Sequence, residues 1–118
     1  MKKVIFSCLI ASVLTSCYYD KKELVYPTNN CDTLTTTYTK DIAPLMATNC
    51  TSCHSANNPS GGIILDTYAE TKNANFNNKL LNSVLQNGLA SNMPQGAPKL
   101  SDCSLNKIQS WINKGMPE

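Results

Sequence analysis

The chain contains no arginine, and only 15% of its 118 residues are charged. Without guanidinium groups it lacks the bidentate clamps that commonly bind phosphates and carboxylates. Ten lysines less Lys2 and Lys3 leave eight, which match eight carboxylates, so no basic patch favours nucleic acid as a partner. The apolar run over 4–13 is too short to span a bilayer, because a spanning helix needs about 20 apolar residues.

The amino terminus has the pattern of an export signal. Lys2 and Lys3 form a basic start, and the apolar run over 4–13 follows them. Residues 14–17 read LTSC. This tetrapeptide resembles the bacterial lipoprotein box, in which the signal is removed before the cysteine and its thiol receives a diacylglyceryl group. We therefore predict a lipoprotein signal over 1–16, lipidation of Cys17 and a polar tether over 17–30. Ordinary cleavage that leaves Cys17 as a spare thiol is the alternative.

Two thiols and an imidazole lie together in residues 50–54, which read CTSCH. This is a c-type haem attachment sequence. Each thiol can add across one haem vinyl group, because two intervening residues let one turn of backbone reach both vinyls. His54 would then be the proximal ligand of the iron. The segment resembles the haem-binding segment of the cytochromes c, so we predict one covalent haem c on Cys50 and Cys53.

Two other kinds of site use a Cys-x-x-Cys pair. A zinc ion could take four ligands from Cys31, Cys50, Cys53 and Cys103, or from three of them with His54. Structural zinc sites usually have a second close-spaced pair of ligands, whereas Cys31 and Cys103 stand alone in the sequence. A thioredoxin-like dithiol expects a βαβ pattern, and no strong strand flanks the motif.

The remaining cysteines suggest a disulfide. Cys8 leaves with the signal, and the lipid and haem attachments use three more of the six cysteines. Cys31 and Cys103 remain, and in an exported protein they are most simply joined. Two free thiols are the alternative. A domain over 31–118 has a marginal apolar core, so a disulfide and a covalent haem are stabilising features that a chain of this size requires.

The second axial ligand is predicted from the three internal methionines. His54 is the only histidine, so two histidines of one chain cannot ligate the iron. Methionine is the usual partner in cytochromes c. Met46 is expected in the core on the proximal side, and Met116 in a frayed tail. Met93 lies in a loop long enough to reach the distal face, and Pro94 favours an extended backbone there. We predict Met93, with Met116 or an open site as alternatives.

Four helical segments are predicted. Thr39 is expected to cap the first, whose apolar residues recur at helical spacing up to the motif, with Pro44 in its opening turn. A capping box at 67–70 indicates a second helix from Tyr68, and a third is expected over 78–86. Ser101 is expected to cap the last helix, and Gly115 to end it. The apolar run 63–65 is interpreted as a wall of the haem pocket rather than a strand.

The Met-Pro pair at 93–94, the helix start at 100–102 and the Trp-Ile pair at 111–112 resemble the C-terminal half of small cytochromes c. The resemblance covers about 31–116 and implies an all-α fold of about four short helices around one covalent haem. In class I cytochromes c the first and last helices cross beside the haem.

The resulting hypothesis is a monohaem electron carrier, not an enzyme, on the outer face of a bacterial membrane. We expect a monomer that is lipid-anchored in the cell envelope, periplasmic or extracytoplasmic, with redox proteins as partners. A haem sensor or small-gas binder with a displaceable Met93 is an alternative. A thiol–disulfide oxidoreductase that uses Cys50 and Cys53 is the other.

Overall fold

The computed structural model describes residues 31–118. The predicted signal over 1–16, the lipidated Cys17 and the tether over 17–30 lie outside the described residues. Within 31–118 no helix is long and apolar enough to cross a membrane. The elements are, in chain order, a π-helical turn (Tyr38–Ile42), α1 (Ala43–Asn49), β1 (His54–Ser55), β2 (Asn58–Pro59), a 3-10 turn (Ser60–Gly62), α2 (Tyr68–Ala74), a second 3-10 turn (Phe76–Asn78), α3 (Lys79–Leu85) and α4 (Asp102–Asn113).

A short hairpin follows the cysteine pair. β1 and β2 pair antiparallel, with His54 opposite Pro59 and Ser55 opposite Asn58. The predicted all-α class, expected as a small cytochrome c fold, is therefore wrong: within residues 31–118 the fold is mixed, with four short α-helices and a two-stranded sheet. Strands of two residues cannot show the alternation of apolar and polar side chains that predicts a strand. The pairing of this polar segment was for that reason not visible in the sequence.

The first helical segment begins at Tyr38. Its N-cap is Thr37, whose extended backbone lets its Oγ1 accept a hydrogen bond from the Lys40 N–H at 3.3 Å. Thr39 is exposed inside the first turn, so its prediction as the cap is wrong. Pro44 lies in the opening turn of α1, as predicted, where its missing N–H is least costly.

The other helix ends are formed by local interactions. Thr67 Oγ1 accepts from the Glu70 N–H at 3.3 Å and caps α2, and Ser101 Oγ accepts from the Ser104 N–H at 3.2 Å and caps α4. Both predicted caps are confirmed. After α4, Gly115 has φ of +80°. Hydrogen bonds from Met116 N–H to the Trp111 carbonyl (2.8 Å) and from Gly115 N–H to the Ile112 carbonyl (3.0 Å) complete a Schellman motif.

The core lies between the first helical segment and α4. Ile42, Met46, Ile108 and Trp111 are at most 1% exposed. Ile108 and Trp111 of α4 are thus buried against the first helical segment. A disulfide with Cα atoms 5.5 Å apart joins Cys31 to Cys103. The other buried apolar residues are Tyr38, Leu65, Leu80, Leu81, Val84 and Leu105.

The C-terminal tail is bound to the core. The Pro117 carbonyl accepts hydrogen bonds from Trp111 Nε1 at 2.7 Å and from the Tyr38 N–H at 3.0 Å. The Met116 carbonyl accepts another from Tyr68 Oη at 2.8 Å. The expectation of a frayed tail is therefore wrong, because three donors from separate elements bind its backbone.

Candidate cofactor cavity

A cavity of about 560 Å³ lies beside the cysteine pair. Cys50, Cys53, His54 and Met93 all line it, although Met93 follows the motif by some forty positions in the printed sequence. Its volume is within the range of about 300–1,000 Å³ that is typical of ligand and cofactor pockets. The structure therefore brings the four predicted haem-binding residues to one place.

The apolar side of this cavity comes from two elements. Ile63 and Leu65 line it from the extended segment after the hairpin, and Leu80 and Val84 line it from α3. Leu65, Leu80 and Val84 are buried. The interpretation of residues 63–65 as a pocket wall rather than a strand agrees with this placement, since two of the three residues face the cavity.

The cysteine motif continues directly from α1. The Cys50 N–H donates to the Met46 carbonyl at 2.8 Å and ends the helix. The Cys50 carbonyl then accepts from the N–H groups of Cys53 (3.1 Å) and His54 (3.0 Å). This single turn of backbone brings the two thiols and the imidazole to the same cavity.

His54 is fixed in orientation by the segment that follows the hairpin. Its Nδ1 is 3.3 Å from the Ile63 carbonyl, and its own carbonyl accepts from the Leu65 N–H at 2.8 Å. The tautomer that donates from Nδ1 leaves the Nε2 lone pair free for a metal. The sequence predicted Ile63 only as part of an apolar wall. The role of its carbonyl could not be predicted, because any residue type can supply a backbone carbonyl.

The two thiols differ in their surroundings. Burial raises the pKa of the Cys50 thiol to about 11, whereas Cys53 is exposed. The two cysteines are not joined by a disulfide. Thiol–disulfide oxidoreductases rely on a cysteine whose pKa is lowered, since the thiolate is the nucleophile. The raised pKa of Cys50 is opposite to that requirement.

A zinc site lacks enough ligands in this part of the chain. Cys31 and Cys103 are joined to each other, so neither offers a thiolate. Among residues 31–118 no three His, Cys, Asp or Glu side chains are grouped as a metal ion would require. Structural zinc needs four such ligands, whereas a haem iron takes at most two axial ligands from the protein.

Of the three methionines in residues 31–118, Met93 lines the cavity. Met46 is 1% exposed within the core. Met116 Sδ is 3.9 Å from Asn75 Nδ2, beside the buried Asn75 rather than in the cavity. This placement favours Met93 over Met116 as the distal ligand.

Met93 is itself held by α3. Its N–H donates to the Ser83 carbonyl at 3.0 Å, and its carbonyl accepts from Gln86 Nε2 at 3.2 Å. The Met93–Pro94 peptide bond is cis. Sequence reasoning identified Met93 and Pro94 but missed Ser83 and Gln86. No local signal could have found them, because both contacts join a loop to the end of a helix.

The chain matches no protein-family model, and comparison with curated proteins and with solved structures gives no significant match.

Proposed function

We propose that this protein is a monohaem electron carrier with a covalently attached haem c. Cys50 and Cys53 would form the two thioether bonds, and His54 and Met93 would be the axial ligands of the iron. The observation that supports this proposal most directly is the convergence of these four side chains on one cavity.

The chemistry of the donor set fits such a cofactor. The cavity offers two thiols, one imidazole and one thioether, between walls that include the buried Leu80 and Val84. The lining also includes polar side chains, among them Asn49, Ser60 and Lys79, and apolar walls with placed polar groups are typical of a cofactor site. With His54 Nδ1 donating to the Ile63 carbonyl, Nε2 would be available to the iron, and such an outer partner orients a ligating histidine.

A haem in this cavity would supply reversible one-electron exchange between ferrous and ferric iron. The chain's own residues determine how that chemistry is used. Thioether bonds from Cys50 and Cys53 would retain the cofactor, and His54 and Met93 would hold its iron. A neutral thioether from Met93 would favour the reduced iron and raise the reduction potential. Because both side chains would bind the iron, no site on it would remain for a substrate, which favours electron transfer over catalysis.

One side of the cavity is suited to a partner. Ser52, Cys53 and Gly61 are exposed residues that line it, so the cavity opens to solvent there. Electron transfer needs only a cofactor edge close to the partner's redox centre. We therefore infer that redox proteins of the cell envelope are the partners, with the protein anchored to a membrane through lipid on Cys17.

Measuring whether haem is covalently attached tests this function. The protein should be produced in bacteria with a cytochrome c maturation system, because thioether formation requires that machinery. The denatured wild type should keep haem on a gel and weigh one haem more than its polypeptide. Extraction of all colour by acid and organic solvent would show that no thioether bond exists.

A matched pair of variants sharpens the test. Cys50→Ser with Cys53→Ser removes two thiols and should abolish attachment. Cys31→Ser with Cys103→Ser also removes two cysteines, but from the disulfide outside the cavity, and should leave attachment intact. A colourless wild type with two titratable thiols would instead favour the oxidoreductase alternative.

A further inference from the structure

The N–H and the carbonyl of Met93 both form hydrogen bonds with residues at the C-terminal end of α3. Its N–H donates to the Ser83 carbonyl at 3.0 Å, and its carbonyl accepts from Gln86 Nε2 at 3.2 Å. The Ser83 carbonyl lies in the last turn of α3, where carbonyls lack the partner of a helix interior, and it accepts from the Met93 N–H as well as from the Gln86 N–H. The two hydrogen bonds determine where the Met93 side chain starts and hence where its thioether can reach.

Gln86 reaches Met93 because of the way α3 ends. It takes a left-handed conformation, with φ of 52° and ψ of 43°, and its N–H donates to the Ser83 carbonyl at 3.2 Å. Glycine or asparagine is favoured at such a helix end. Neither has a side-chain donor as long as that of glutamine. The amide of Gln86 therefore gives this position an interaction that the usual residues would not provide.

We propose that Gln86 is a positioning residue for Met93. Its amide N–H holds the Met93 peptide against α3, so that the thioether remains at the iron and an external ligand replaces it less readily. The inference rests on the proposed haem function and deepens it, because it names the side chain that controls how stable the sixth ligand is. Gln86 itself does not touch the iron in this proposal.

The test compares three variants of the holoprotein. Gln86→Glu keeps the length of the side chain but replaces the donor with an acceptor. Gln86→Arg keeps a donor and cannot become an iron ligand, since arginine stays charged. Asn87→Asp introduces the same negative charge at the exposed residue next to Gln86, which does not line the cavity. The readouts are the rate of carbon monoxide binding to the ferrous protein and the far-red absorption band of a methionine–ferric iron bond.

Gln86→Glu should bind carbon monoxide roughly five- to tenfold faster, as the loss of one hydrogen bond implies, and its far-red band should weaken. Gln86→Arg and Asn87→Asp should stay close to the wild type in both readouts. If Gln86→Glu fails to fold, Gln86→Asn serves in its place, because its amide is one methylene shorter and its left-handed backbone is tolerated.

The outcomes separate this inference from the function on which it rests. A wild type without covalent haem overturns both. A wild type with covalent haem and the far-red band, whose Gln86 variant binds carbon monoxide no faster, overturns the positioning role alone. Equal acceleration in Asn87→Asp also overturns it, because charge rather than hydrogen bonding would then explain the effect.

Discussion

Lys107 Nζ donates a hydrogen bond to Asp41 Oδ1 at 2.8 Å, and this ion pair joins α4 to the π-helical turn. The Asp41 side chain is 4% exposed, and its other oxygen accepts from the Thr37 N–H at 3.3 Å. Burial alone would raise the pKa of Asp41. The hydrogen bonds from Lys107 and Thr37, together with the lysine charge, outweigh burial and hold that pKa below its usual 3.8.

This ion pair predicts a pH dependence of stability. Because the pKa of Asp41 is lower in the folded state than in the unfolded state, its contribution is complete above the unfolded pKa. The contribution is lost as pH falls through the folded pKa. Asp41→Asn should lower the free energy of unfolding by roughly 1–3 kcal/mol at neutral pH, and the difference should shrink below about pH 4.

Denaturant unfolding of the holoprotein at a series of pH values measures the effect of Asp41→Asn. Asp102→Asn, at an exposed carboxylate of α4, is the matched control and should change the free energy of unfolding by less than about 0.5 kcal/mol. A difference between wild type and Asp41→Asn that is the same at all pH values would show that the Asp41 charge is unimportant.

Met93→Ala should open the sixth position of the iron. We expect a lower reduction potential and carbon monoxide binding by the reduced protein, because the neutral thioether no longer stabilises ferrous iron. Met116→Ala removes a half-buried side chain packed on the core and should lower stability by about 1–2 kcal/mol, with the potential unchanged. Potentiometry and carbon monoxide titration compare the two. Carbon monoxide binding by Met116→Ala alone would reverse the assignment.

The Cys31–Cys103 disulfide links residues 72 positions apart. Closing a loop of that length should restrict the unfolded chain by about 4 kcal/mol in the entropy model. Unfolding of the wild type against the Cys31→Ser, Cys103→Ser double variant measures this contribution. Non-reducing peptide mapping checks the linkage itself, and two free thiols in the mature protein would contradict it.

Cys17 should carry the membrane anchor. A diacylglyceryl group has two chains, which suffice for stable attachment, whereas one chain binds only reversibly. The wild type should remain with membranes after a high-salt wash and enter detergent, and Cys17→Ser should not. Cys8→Ser is the control and should behave as the wild type does. A wild type released by salt would rule out the anchor.

Helix ends were predictable from the sequence where the interacting groups are neighbours in the chain. The caps at Thr67 and Ser101 and the stop at Gly115 are local, because each hydrogen bond spans only a few residues, and they were predicted correctly for that reason. The CTSCH motif likewise places two thiols and an imidazole within five residues, so their proximity needs no later folding, whereas the haem they would bind stays a prediction.

Features that depend on residues far apart in the sequence were decided only by the tertiary structure. Thr37 rather than Thr39 is the cap because of the backbone conformation before the helix. The hairpin at 54–59 depends on strand pairing that the polar residues of this segment do not predict. Sequence alone left Met93 and Met116 as competing ligands. Folding separated them by bringing Met93 to the cavity against α3 and Met116 to Asn75, since only packing between remote segments determines which side chain lines which space.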